Sequence, residues 1–128
     1  AISTGLPRSS CIIACGTILH NALRAGKKLN DEGIGASVMN LSTIKPLDEE
    51  AILAYVTEHE VIVTVEEHQI AGGMGSAVAE LLSEKHPMKI VRIGVRDQFG
   101  QSGEPAELIK HYGMDADSIV ARARAALP

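Results

Sequence analysis

Aromatic side chains are almost missing from this chain: two Tyr, one Phe and no Trp in 128 residues. Its core must therefore be aliphatic, built from Ile, Val, Leu and Ala. Positive charge is also short. Twelve Lys and Arg stand against 16 Asp and Glu, a formal net charge of -4. That balance argues against a nucleic-acid binder, which needs a basic footprint for phosphate contacts. No apolar run approaches the roughly 20 residues of a membrane span. The N-terminal AISTGLPRSS has no charged start followed by an apolar block, so it reads as a cut end or a short edge strand and not as a secretory signal. Cysteine is limited to Cys11 and Cys15, in one apolar run. Four residues apart on a strand, they share a face at roughly 13 Å, too far for a disulfide. They read as buried, reduced thiols, which favours the cytoplasm over a redox or metal role.

Several catalytic signatures are absent. No Ser sits on a GxSxG elbow. No Gly-Lys-Ser/Thr follows a glycine cluster, which excludes a Walker loop. His20, His59, His86 and His111 have no metal-ligand spacing among them and read as surface residues.

What is present is an ordinary globular balance, 45% hydrophobic and 22% charged, and a length suited to one domain spanning residues 1–128. Apolar runs alternate with helical periods. Cys11–Cys15 predicts a strand closed by Gly16. Thr17 is a candidate cap for a helix to about Asn30, with Ile18, Ala22, Leu23 and Leu29 near one face. Gly33 and Gly35 stop that helix. Ala36–Leu41 predicts a strand, and Asp48 caps a helix with Ala51, Ile52 and Tyr55 as its stripe. Val61–Val65 is the clearest strand, apolar on both faces except at Thr64, so helices should cover both its sides. A helix from Ser76 to about Lys85, a strand at Lys89–Ile93 and closing helices at Glu104–Tyr112 and Asp115–Ala126 complete the order. This alternation predicts a mainly parallel sheet with helices on both faces and right-handed connections.

The most informative stretch is VIVTVEEHQIAGGMGSAV, Val61 to Val78. It reads as strand, polar tip, glycine turn and helix. That order puts Glu66, Glu67 and His68 at the carboxyl end of a strand, the edge where ligands and partners meet open α/β sheets. Gly73-x-Gly75 matches only part of a dinucleotide fingerprint and follows its strand too late. The glycines instead supply turn conformations, and Gly75-Ser76 lets the helix start close to a neighbouring backbone. Side chains at adjacent extended positions point apart, so Glu66, Glu67 and His68 cannot converge on one metal, although Glu66 and His68 can share a side. Two readings stay open: a polar strand end that hydrogen-bonds the following turn, or a contact toward another domain or subunit. The contact candidates are Glu66, Glu67, His68, Gly72, Gly73, Met74 and Gly75. No self-contained catalytic set, cofactor ligand or metal ligand is assigned. Phe99, in the loop Asp97–Gly103, reads as a plug into its own core.

Three segments, LSTIKPLDEEAI (Leu41–Ile52), VIVTVEEHQIAGGMGSAVAELL (Val61–Leu82) and IGVRDQFGQSGEPAELIKHYGMDADSIV (Ile93–Val120), together resemble the C-terminal domain of transketolase, most of all its separately encoded C-terminal section. The similar domains of 1-deoxyxylulose-5-phosphate synthase and of the 2-oxoacid dehydrogenase E1 β subunit are more distant resemblances. The resemblance covers roughly residues 11 to 127. It implies a three-layer α/β/α fold with a five-stranded, mostly parallel mixed sheet, one edge strand being antiparallel. It further implies a non-catalytic domain supporting the assembly of a dimeric enzyme that moves two-carbon ketol units between sugar phosphates, pentose phosphate chemistry. In that family thiamine diphosphate and Mg²⁺ bind between pyrophosphate- and pyrimidine-binding domains. This sequence has no GDG followed by an NN pair, so neither is expected to be held by this chain alone. The alternative class is a free-standing module that binds a small anion or a partner protein at the glycine-rich tip.

Overall fold

The computed structural model describes residues 9–14, 18–40, 49–56, 58–69, 74–95, 109–110 and 113–127. Eight elements follow in order: β1 (Ser9–Ala14), α1 (Leu19–Asp31), β2 (Gly35–Asn40), α2 (Glu49–Val56), β3 (Val61–Gln69), α3 (Met74–Lys85), β4 (Lys89–Val95) and α4 (Ala116–Ala126). The strands lie in the order β2-β1-β3-β4, and each neighbouring pair is parallel.

Composition explains this order. All six residues of β1 are buried, as are Val61 to Glu66 of β3. Strands apolar on both faces belong inside a sheet covered on both sides. The outer strands are more polar: Asn40 of β2 and Lys89 and Arg92 of β4 are exposed. Two cores result. Ile12, Val61, Val63 and Val65 pack with Leu29 of α1 and Ile119 and Ala123 of α4. Cys11, Ile13 and Ile62 pack on the other face with Ile52 of α2 and Val78 and Leu82 of α3. Val61, Val63 and Val65 thus share a face opposite Ile62, as strand alternation requires.

The resemblance implies five strands with an antiparallel edge. Four are present among the described residues, all parallel, and residues 9 and 10 open β1 where an edge strand was expected. Residues 1–8 lie outside the described residues, as do Cys15, Thr17, Asp48, Phe99 and all of the Glu104–Tyr112 helix except residues 109–110.

Local stop signals act as read. Gly33 takes φ 82° at the end of α1. Its N–H bonds the Asn30 carbonyl at 3.0 Å, and Ile34 N–H bonds the Leu29 carbonyl at 2.9 Å. This is the Schellman pattern, with the apolar pair Leu29 and Ile34 buried beside it. Asp115 caps α4, its carboxylate accepting from Ser118 N–H at 3.2 Å. Two exposed ion pairs, Lys28–Asp117 and Glu32–Arg124, link α1 to α4. The hydrogen bond from Lys28 holds the Asp117 carboxyl below the usual range.

Two contacts between elements were not expected. His59, read as a surface residue, is buried, and its Nε2 lies 3.0 Å from Ser37 Oγ on β2. The α2–β3 connection draws it in, with His59 N–H bonding the Val56 carbonyl and Glu60 N–H bonding that of Ser9. Asn30 reaches from α1 to the outer strand β2. Its side-chain NH₂ donates to the Ala36 carbonyl at 3.1 Å, and Ala36 N–H donates to its side-chain oxygen at 3.0 Å.

Two expectations follow from the cores. Val63→Ala, at a fully buried site on an inner strand, should cost about 1–3 kcal/mol in urea denaturation through lost burial and a cavity; an unmoved midpoint would place β3 at an exposed edge. Burial pushes the Cys11 thiol up to about 12. In peptide-resolved mass spectrometry at pH 8, Cys11 should therefore resist iodoacetamide in the folded chain and react in urea, and prompt native alkylation would contradict its position in β1.

Candidate functional site

The sheet order puts the reversal of winding between β1 and β3, and in open α/β sheets the crevice outside the carboxyl ends of such strands is where ligands and partners sit. The end of β3 flanks that point. The strand is longer than its apolar core suggests and runs through Glu66, Glu67 and His68 to Gln69. Its pairing with β4 slips there: Val65 faces Ile93, but Gln69 faces Val95. The extra length on β3 falls on Glu66, Glu67 and His68. Irregularities of this kind re-aim side chains at sheet ends, so the simple alternation that paired Glu66 with His68 cannot be carried through it.

Glu66 is not a surface residue. It is fully buried, and its Oε2 accepts the N–H of Gly75 at 2.7 Å. The hydrogen bond to the turn, one of the two readings of this tip, is therefore made by Glu66, which itself offers no surface to a partner. The physical reason is the face it occupies. Ile62, Thr64 and Glu66 alternate onto the side covered by α3, and Glu66 meets the first turn of that helix. Residues Gly72 and Gly73 and the side chains of Glu67, His68 and Met74 lie outside the described residues.

Gly75 is required here by space. A Cβ on it would lie 2.7 Å from Thr64 Oγ1 and 2.8 Å from Glu66 Oε2. The helix therefore starts close to β3, as expected, although the groups it meets are side chains. Thr64 Oγ1 is buried in this packing and makes no hydrogen bond among the described residues. Arg92 of β4, the register partner of Thr64, donates from Nη1 to Ser76 Oγ at 3.2 Å. Arg92 was not singled out in the sequence, and Thr64 was noted only as the polar exception in its strand. The signal for Thr64 was available, since a polar residue two positions from both Ile62 and Glu66 shares their face.

This arrangement limits the chemistry. A helix start is a natural seat for a phosphate, but the N–H of Gly75 already serves a carboxylate, which would repel a diphosphate. No group of three His, Cys, Asp or Glu among the described residues is placed to hold a metal ion. The start of α3 therefore does not fit a diphosphate. Among the described residues, too, no helix is long and apolar enough to cross a membrane.

Residues 8–119 match the family model for the transketolase C-terminal domain. The putative transketolase C-terminal section of Methanocaldococcus jannaschii is 46% identical over 112 residues, which are 87% of this chain and 34% of the relative. The 1-deoxy-D-xylulose-5-phosphate synthase of Syntrophus aciditrophicus is 42% identical over 118 residues, 91% of this chain and 18% of that enzyme. A solved split-gene transketolase, an inactive beta4 tetramer, superposes with a TM-score of 0.86 at 41% identity, covering 93% of this chain and 39% of that one. The chain thus spans about a third or less of the length of these curated relatives.

The crowding at Gly75 generates a measurable expectation. Gly75→Ala should lower stability by about 1–3 kcal/mol through overpacking, although alanine is by propensity the better helix former. Urea denaturation measures the balance, and a midpoint at or above that of the unsubstituted chain would mean that α3 shifts freely away from β3.

Proposed function

The chain belongs to the transketolase C-terminal domain family, and we propose that it is the non-catalytic C-terminal section of a thiamine diphosphate-dependent enzyme that transfers two-carbon ketol units between sugar phosphates. In this reading it supports assembly with pyrimidine- and pyrophosphate-binding domains in a cytoplasmic homodimeric parent enzyme, and the cofactor sits wholly on those domains. The observation that carries the proposal is the match over residues 8–119 to a domain that relatives carry as a minor part of a longer chain. A second reading is supported by the 42% identity to a 1-deoxy-D-xylulose-5-phosphate synthase: the parent would then be that type of thiamine diphosphate enzyme.

The contact surface toward the partner domain is assigned to the end of β3 and the turn that follows it: Glu67, His68, Gly72, Gly73 and Met74, with Gly75, itself buried, behind them. The glycines permit close backbone approach, and Met74 offers an adaptable apolar contact. Glu66, being buried, supports this surface from beneath. Support for the location comes from the carboxyl edge of a parallel sheet, where partners and ligands gather.

Calorimetry with thiamine diphosphate and Mg²⁺ should register no binding to this chain alone. A micromolar dissociation constant, roughly -8 kcal/mol, would end the reading. With the catalytic half supplied, Gly73→Val should weaken assembly while sparing turnover in the complex that still forms. His68→Ala should leave turnover well above the roughly 10²–10⁴-fold loss expected on removing a general acid or base. A loss of that size with assembly intact would make the tip catalytic. Assaying the reconstituted enzyme for ketol transfer between sugar phosphates, against condensation of pyruvate with glyceraldehyde 3-phosphate, separates the two parents.

A further inference from the structure

We propose that Glu66 is the positioning residue of the tip: its buried carboxylate fixes where α3 begins, and through α3 it sets the geometry of the surface assigned above to the partner domain. The inference rests on that assignment for its functional consequence, and on Glu66 and Gly75 for its structural part.

A buried carboxylate is costly unless donors reach it. At Glu66 one donor is the N–H of Gly75, at 2.7 Å, in the first turn of α3. That turn contains no acidic residue of its own. The carboxylate that favours the positive end of the helix comes instead from β3, nine positions upstream. Capping ordinarily works within a few residues of one segment; here it bonds a strand to the next helix. The same Gly75 is held a second way, because Thr64 Oγ1 and Glu66 Oε2 fill the space of a side chain. A third tie crosses from β4, where Arg92 reaches Ser76. Of these, the Arg92 bond is exposed, whereas the Glu66 bond is buried. Glu66 is fully buried, so a partner cannot touch it. Any effect of Glu66 on assembly must therefore pass through the groups it holds, the start of α3 among them.

The test uses the full chain, alone and with the catalytic half, carrying Glu66→Met, Glu66→Asp or Glu66→Gln. Glu66→Met should speed amide exchange at Gly75 about tenfold or more while Val63 keeps its protection. Glu66→Asp, one methylene too short, should do the same, and Glu66→Gln, whose carbonyl still accepts, should restore protection toward that of the unsubstituted chain. Unchanged exchange at Gly75 in Glu66→Met overturns the proposal. So does loss of protection at Gly75 and Val63 together in both Glu66→Met and Glu66→Asp, which would make Glu66 a general core support. Association with the catalytic half should weaken in step with the Gly75 protection. Local loss at Gly75 with association unchanged would uphold the positioning of α3 and remove the tip from the interface.

Discussion

The fold depends on one constraint: β1 and β3 are apolar on both faces and must be covered on both. A sheet whose two inner strands cannot tolerate water needs helices above and below. Parallel strands joined by helical crossovers supply them within one chain. From this follow the two separate cores, the more polar outer strands, and the meeting of the carboxyl ends of β1 and β3 at one edge. A candidate surface at that edge is thus a by-product of where the hydrophobic area goes.

At the end of β3 this arrangement meets a polar residue it cannot expel. The face that carries Ile62 and Thr64 also carries Glu66, and α3 closes over it. The chain resolves the conflict by placing a helix start, with its unpaired N–H groups, against the carboxylate. The arrangement depends on glycine at position 75, since a side chain there would separate the two partners. Stability and the starting point of α3 are consequently coupled at one residue.

Much of this was legible in the sequence, for identifiable reasons. The unbroken β-branched run at Val61–Val65 announces an inner strand because nothing else buries so much area in so few residues. Gly33 and Asp115 mark helix ends because their effects are local, within three or four residues. What escaped the reading depends on contacts between distant segments. The extension of β3 to Gln69 is decided by pairing with β4, not by hydrophobicity. The burial of His59 needs Ser37, and that of Glu66 needs Gly75. Charge alone pointed to the surface for Glu66 and only the partner reverses that. The grip of Asn30 on Ala36 is likewise invisible in a helical pattern, where a polar residue near the C-terminus reads as a solvated position.

That last contact bears on how the sheet ends. β2 is one of the two outer strands among those described, and the backbone groups of outer strands are a template for further pairing. At Ala36 both groups are engaged by the amide of Asn30 instead of by β1. In a parallel ladder they therefore face away from β1, where the amide takes the place of a neighbouring peptide unit. A further strand could pair at Ala36 only by displacing the Asn30 amide. At this one residue the outer side of β2 is closed by a single side chain.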